Sequence, residues 1–285
     1  MHIRFWGVRG SIASPGPDTA AVGGNTSCVE VVCGKTRIVL DAGTGLRALG
    51  NELLRKGDDL AVTLLLSHYH WDHIQGLPFF LPAYMKQTEL TVVGGANGVM
   101  NVREALTHQM SAPLFPVRLD EIGARLATRE VKMGDVFDIG EAKVTVAKGN
   151  HPGGVMAYRI EHDGKSMVYA TDTEHYACVD PMLKRLSEGA DVLVYDSQYS
   201  PDEYKTKVGW GHSTYVEGAE LARSAGVGTY VLFHHDPMRN DESVLDLETK
   251  ARGLFASSVA AREGMEIDLT LPFSQRSGND GRRAA

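Results

Sequence analysis

From Ser67 to Ile74 the chain reads Ser-His-Tyr-His-Trp-Asp-His-Ile, so His68, His70 and His73 stand with Asp72 inside six residues. The run directly before it, Leu60–Leu66, is apolar and of a strand's length. A loop leaving the end of a buried strand can aim all four donors at one point. Imidazole nitrogen and carboxylate oxygen suit zinc and related divalent ions, and so many donors in so short a segment serve two ions more easily than one. Left without partners at such a place, the same groups would be costly. Asp41, His151, Asp172 and His234 each follow a further apolar run. Taken singly, His151 reads as an ordinary surface or core histidine, and Asp41 and Asp172 as turn or cap residues.

The elements that must position these groups alternate along the chain. Strands are expected at His2–Val8, Ser27–Cys33 and Thr36–Leu40, the last two joined by a Gly34-Lys35 hairpin turn. Helical periodicity at Leu46–Arg55 precedes the apolar strand, and helices are expected at Gln75–Met85 and Val99–Met110. Strands follow near Leu90–Val93, Lys143–Ala147 and Val155–Ile160, and Asp163-Gly164 turns the chain into Met167–Ala170. The strand Val192–Tyr195, the helix Val216–Ala225, the strand Tyr230–Phe233 and a long helix from Glu242 to Arg262 complete the pattern. This alternation favours sheets covered by outer helices. With no repeat or long linker, residues 1–273 read as one domain, and 274–285, polar and glycine-containing, as a frayed tail.

His68-x-His70-x-Asp72-His73 resembles the HxHxDH signature of the metallo-β-lactamase superfamily, and later parts of that family's pattern follow in order over nearly the whole chain. The resemblance implies an α/β fold, a four-layer αββα sandwich. Asp41, in Leu40-Asp41-Ala42-Gly43, is similar to the family's early Asp-Gly motif, which supports the site from behind the ligands. His151, before Pro152-Gly153-Gly154, matches the third ligand, and Asp172 matches the bridging carboxylate. Phe233-His234-His235-Asp236-Pro237 departs from the commoner single-histidine form and leaves the last ligand ambiguous. His234, next to the strand, is preferred, with His235 behind the ligands or facing substrate. The resemblance then gives His68, His70 and His151 to one ion and Asp72, His73 and His234 to a second, with Asp172 between them. The cofactors it implies are two divalent ions, zinc by preference and manganese or iron as alternatives, activating a bridging hydroxide.

Gly209-Trp210-Gly211-His212-Ser213-Thr214 resembles the His-x-Thr element of the superfamily's phosphodiesterase branch, which includes transfer-RNA 3′-processing ribonucleases and cyclic-nucleotide phosphodiesterases. The resemblance assigns catalysis to Asp72 and His212, the latter orienting the phosphate or protonating the departing alkoxide. Ser213 or Thr214 also reads as a helix cap, with Glu217 completing a capping box, and the two readings are compatible. The glycine-rich turns Arg9-Gly10-Ser11 and Gly23-Gly24-Asn25 make Arg9 and Asn25 candidate phosphate contacts, although such turns are usually only turns. Trp71, Tyr199 and Trp210 are candidates for stacking on a base or for plain packing.

A net charge of -7 on 285 residues argues against a nucleic-acid partner, while a local basic groove would still allow one. A small or cyclic nucleotide phosphodiester is therefore favoured over transfer RNA. No basic, glycine-rich arm of the kind the branch's ribonucleases use is evident. Lactone or other ester opening on the same centre, a ribonuclease, and a binding protein without useful catalysis stand as alternatives. A redox role lacks a flavin- or iron-binding segment and a suitable cysteine set. Relatives in the branch commonly form homodimers. No apolar run approaches a membrane span and the first residues do not read as a secretory signal, so a cytoplasmic location is expected. Cys28, Cys33 and Cys178 read as buried fillers.

Overall fold

The computed structural model describes residues 1–95 and 99–271. The expected frayed tail, 274–285, lies outside them. The strands are β1 (His2–Gly7), β2 (Cys28–Cys33), β3 (Thr36–Leu40), β4 (Ala61–Leu66), β5 (Glu89–Gly95), β6 (Arg125–Val131), β7 (Val136–Ile139), β8 (Ala142–Gly149), β9 (Val155–His162), β10 (Lys165–Ala170), β11 (Val192–Asp196), β12 (Thr229–Phe233), β13 (Ser258–Ala260) and β14 (Glu266–Asp268). The helices are α1 (Gly45–Lys56), α2 (Trp71–Ile74), α3 (Val102–Gln109), α4 (Pro181–Ser187), α5 (Pro201–Tyr204), α6 (Tyr215–Ser224) and α7 (Asp241–Leu254).

Two sheets run in the orders β14-β1-β2-β3-β4-β5-β6 and β13-β12-β11-β10-β9-β8-β7. Each is antiparallel in one half and parallel in the other: β3 to β6 in the first sheet, β10 to β13 in the second. Ile3, Phe5, Val31, Ile38 and Leu40 of the first sheet meet Val144, Ile160, Val168, Val194 and Phe233 of the second in one apolar core. On its other face the first sheet is covered by α1 and α3, through Leu46, Leu49, Leu64, Leu66 and Leu106. The second is covered by α4, α6 and α7. The layers are thus helix, sheet, sheet, helix, because each sheet has two apolar faces to bury.

Both predicted hairpins form, β2–β3 around Gly34 and β9–β10 around Asp163 and Gly164, with φ values of 58°, 50° and 67°. Three expectations need correction. The helix predicted over 75–85 is two short 3₁₀ turns, Leu77–Phe79 and Leu81–Tyr84, because Pro78 and Pro82 interrupt the bond ladder. The helix predicted to run to Arg262 stops at Leu254, after which Ser258–Ala260 pairs with β12 as an edge strand. Cys178 is exposed, whereas Cys28 and Cys33 are buried. Among the described residues no helix is long and apolar enough to cross a membrane.

Candidate metal centre

The chemistry-bearing residues collect where the parallel strands of the two sheets end. β4 delivers Ser67, His68 and His70, and the single turn α2 carries Asp72 and His73. Asp41 follows β3, Asp172 lies just past β10, Asp196 ends β11 and His234 follows β12; His151 leaves β8. Asp41, Asp172 and His234 adopt left-handed backbone, with φ of 61°, 51° and 61°. A non-glycine residue held there is strained by about 1–3 kcal/mol, so the tips of β3, β10 and β12 turn sharply to aim their side chains inward. At a fourth strained residue, Ser11 (φ 62°), the amide donates to Asp72 Oδ2 at 2.8 Å.

His68, His70 and His151 form one group, and Asp72, His73, Asp172 and His234 a second; within each, the candidate ligand atoms lie within 4.8 Å of one another. His70 Nδ1 stands 3.2 Å from His151 Nε2. In the second group His73 Nε2 and His234 Nε2 are 3.3 Å apart, and each is 3.2 Å from Asp72 Oδ2. Asp172 spans the two groups: Oδ1 lies 3.3 Å from His73 and 3.2 Å from His234, and Oδ2 lies 3.8 Å from His68 Nε2.

The opposite ring nitrogens are anchored to acceptors. His73 Nδ1 is 2.7 Å from Asp41 Oδ2, His151 Nδ1 is 2.8 Å from the Gly211 carbonyl, and His234 Nδ1 is 2.9 Å from Gln198 Oε1. Each acceptor can hold a proton on Nδ1, so that the ring, when neutral, turns its Nε2 lone pair toward its neighbours. Close room is kept for two of these rings by glycine. A Cβ on Gly211 would lie 2.1 Å from His151 Nδ1, and one on Gly10 would lie 2.4 Å from His234 Cε1.

The donor set fits divalent cations on its own chemistry. Imidazole nitrogens converge with two buried carboxylates among them, and His68 Nε2 is buried with no hydrogen-bond partner. Burial holds His68, His70 and His151 below the ordinary histidine range, the neutral state that ligation needs. His73 behaves oppositely: burial disfavours its charge, but Asp172, Asp72 and Asp41 together hold it well above 6.5. Asp72 would be raised by burial, yet His73 and His234 hold it well below the usual carboxylate range. A proton on His73 thus supplies the positive charge that the carboxylates call for.

His212 stands beside this cluster, its ring stacked on that of His234 at 4.9 Å and edge-on to that of His151 at 5.3 Å. Its Nδ1 is 2.8 Å from Asp196 Oδ2, and Asp196 Oδ1 accepts from the Ser213 amide at 3.2 Å. Burial lowers the His212 pKa, but Asp196 outweighs it and pushes the group up to about 9. Thr214 caps α6 by accepting from the Glu217 amide at 3.4 Å.

Asp41 stands behind the cluster, taking bonds from the Ser67 amide, Ser67 Oγ and Tyr169 Oη as well as His73. Three sequence candidates lie elsewhere. Arg9 is fully buried, its guanidinium donating to the carbonyls of Gly23, Asp236 and Arg239, so it ties loops together and does not face a substrate. Asn25 is bound to Glu263 through its side chain and amide. His235 is buried with Nε2 on the Ala261 carbonyl, and burial pushes it down to about 3. Sequence reasoning missed Asp196 and Gln198, although Asp196 ends an apolar strand much as Asp41 and Asp172 follow theirs. It also missed Glu174, which carries no local signal. Tyr199 is buried, whereas Trp71 and Trp210 are 80% and 57% exposed.

The sequence pattern of the beta-lactamase superfamily domain matches residues 36–235. The chain is similar to "Ribonuclease Z" of Haloarcula marismortui, 26% identical over 319 aligned positions that cover 95% of this chain and 98% of that protein. Among solved structures it resembles the metallo-beta-lactamase fold protein YhfI of Bacillus subtilis, with TM-score 0.71, 20% identity and coverage of 94% and 99%. It also resembles human tRNase Z, short form, with TM-score 0.70, 16% identity and coverage of 95% and 100%.

Proposed function

The chain belongs to the beta-lactamase superfamily, and on that premise we propose that it is a metal-dependent hydrolase cleaving the phosphodiester bond of a small or cyclic nucleotide. The observation that carries this reading is the Asp196–His212 pair, bonded at 2.8 Å and stacked against His234 at the edge of the candidate metal centre. The similarity to ribonuclease Z supports the same branch of chemistry.

In this reading His68, His70 and His151 hold one ion and Asp72, His73 and His234 the other. Asp172 is shared, its two oxygens facing the two groups. The imidazole-rich set suits zinc, and the same donors accept manganese or iron. Two such ions would acidify a water between them and withdraw charge from non-bridging phosphoryl oxygens. Asp41, Gln198 and the Gly211 carbonyl fix three ring orientations, so the ligands need no rearrangement. Asp196 holds the Nδ1 proton of His212 and stabilises the imidazolium, which leaves Nε2 as the atom that passes a proton to the departing oxygen.

Turnover of cyclic AMP and of an acyl-lactone by wild type and by His212→Ala tests the reading. Loss of a general acid should slow cyclic AMP hydrolysis by about 10²- to 10⁴-fold. Bis(p-nitrophenyl) phosphate, whose leaving group needs no proton, should be affected less. Lactone turnover alone, indifferent to the substitution, would refute the proposal in favour of ester hydrolysis. The ribonuclease Z relative favours a second reading, with RNA as substrate. Faster cleavage of a 3′-extended transfer RNA than of any cyclic mono- or dinucleotide would establish that one instead.

A further inference from the structure

Glu174 lies two residues beyond Asp172, buried, with its carboxylate turned into the loop that follows α5. Oε1 accepts from the Gly209 amide at 2.7 Å and from Tyr204 Oη at 2.7 Å, and Oε2 accepts from the Gly211 amide at 2.9 Å. Gly209 and Gly211 have φ of 87° and 85°, backbone that places both N–H groups on one side. The two clamped amides bracket Trp210, whose own amide donates to the Lys207 carbonyl at 3.1 Å. The backbone of Trp210 is therefore fixed on either side while its indole stands 57% exposed. Lys207 Nζ lies 3.9 Å from the ring centroid. His212, the proposed proton donor, is two residues further on.

Exposing an indole loses the burial that ordinarily stabilises so large an apolar group. A buried carboxylate that holds it in place beside a candidate reaction centre is a poor way to make a surface and a good way to make a platform. Resting on the phosphodiesterase reading, we propose that Trp210 is the stacking platform for the nucleobase on the leaving-group side of the substrate. In this arrangement Glu174 positions the platform and Lys207 holds its ammonium over one face of the indole, so the base takes the opposite face. The recognised chemistry is a planar aromatic base attached to a phosphate. A base stacked on Trp210 lies next to His212, which puts the nucleoside oxygen where that imidazole can protonate it. An indole face serves purines and pyrimidines alike, so the platform selects for a base without selecting which base.

Binding of AMP and of ribose 5-phosphate to the zinc-loaded protein, measured by calorimetry, tests this. Indole emission is followed in parallel in a Trp71→Phe background, where Trp210 is the exposed indole and Trp6 is buried. Trp210→Ala should weaken AMP binding by about 5- to 150-fold, the effect of losing one base–aromatic stack. Ribose 5-phosphate, lacking the base, should change less than twofold, and Trp210→Phe should restore most of the AMP affinity. AMP should quench or shift the emission and ribose 5-phosphate should not. Glu174→Gln, which replaces one acceptor oxygen by an amide donor, should cost AMP affinity selectively even at temperatures where the variant is fully folded. Unchanged AMP affinity in Trp210→Ala, or equal losses for both ligands, would overturn the proposal while leaving a phosphodiesterase intact. A wild-type protein that binds neither ligand and hydrolyses no phosphodiester would overturn the parent reading, and this one with it.

Discussion

Replacing Asp41 by Asn isolates how the ligand set is prepared. Asp41 Oδ1 accepts from the Ser67 amide at 2.7 Å, while Oδ2 accepts from Ser67 Oγ at 2.8 Å, His73 Nδ1 at 2.7 Å and Tyr169 Oη at 2.7 Å. Asn keeps the volume and can keep the bond from the amide, but its NH₂ would face three donors. The two hydroxyls can rotate and accept. An imidazole Nδ1–H cannot, so the neutral His73 that ion binding requires meets the new donor only by keeping its one proton on Nε2, the atom that stands 3.2 Å from Asp72 and 3.3 Å from Asp172. The lone pair needed for an ion is then blocked. Losses from changing a group behind a metal ligand run at about 10- to 100-fold in affinity, or about 1.4–2.8 kcal/mol. The loss should fall on the ion held by Asp72, His73 and His234 and leave the His68, His70 and His151 ion nearly untouched. Stepwise zinc titration by calorimetry, with metal content measured after dialysis, reads the two ions separately. Two ions bound at wild-type affinity in Asp41→Asn would refute the tautomer argument. Equal weakening of both would show that Asp41 acts on general stability instead.

Gly211→Ala forces a Cβ to within 2.1 Å of His151 Nδ1 at a backbone φ of 85°, so the ion of the His68 group should weaken at least tenfold; metal titration checks it, and a fully occupied variant would contradict the reading. Arg9→Met should destabilise the protein by about 2–5 kcal/mol, since one buried and two part-buried carbonyls lose their donor, with no change in KM for a phosphodiester; urea unfolding and steady-state kinetics separate the two. Chelation should abolish turnover and lower Tm, with both restored by zinc or manganese. For pH, the native pKa of His73 is raised above 6.5 in the metal-free protein. Its contribution to metal-free stability is therefore complete below about pH 6.5 and fades as pH rises through the native value. Ion binding must displace that proton, so zinc affinity should rise with pH over the same window, and proton release should appear as buffer-dependent heat in calorimetry.

The cluster from His68 to His73 was legible because its donors are contiguous and follow a run too apolar to be anything but a buried strand. Asp41, His151, Asp172 and His234 were legible through the resemblance to the family's pattern, supported by their shared place at or just beyond apolar strands, and the structure brings all four to one locality. The same sign marks Asp196. What could not be read was reach. Arg9 sits in a glycine-rich turn, but the carbonyls that engage it come from Gly23 and from Asp236 and Arg239, more than two hundred residues later. Glu174 has meaning only once the chain from Tyr204 to Gly211 folds back over it. The edge strands β6 and β7 escaped notice because their mixed polar residues, half exposed, lack the apolar signal of the central strands. The helix expected over 75–85 failed on two prolines that the periodicity alone did not weigh.

The two halves of the chain contribute incomplete shares of the donors. Everything from β1 to β6 supplies Asp41, His68, His70, Asp72 and His73, and everything from β7 onward supplies His151, Asp172, Asp196, His212 and His234. Neither share closes a coordination sphere by itself. A cut in the turn between Val131 and Val136 would therefore divide both candidate ion sites between two fragments, so that a return of metal binding on mixing them would report that the two sheets had rejoined.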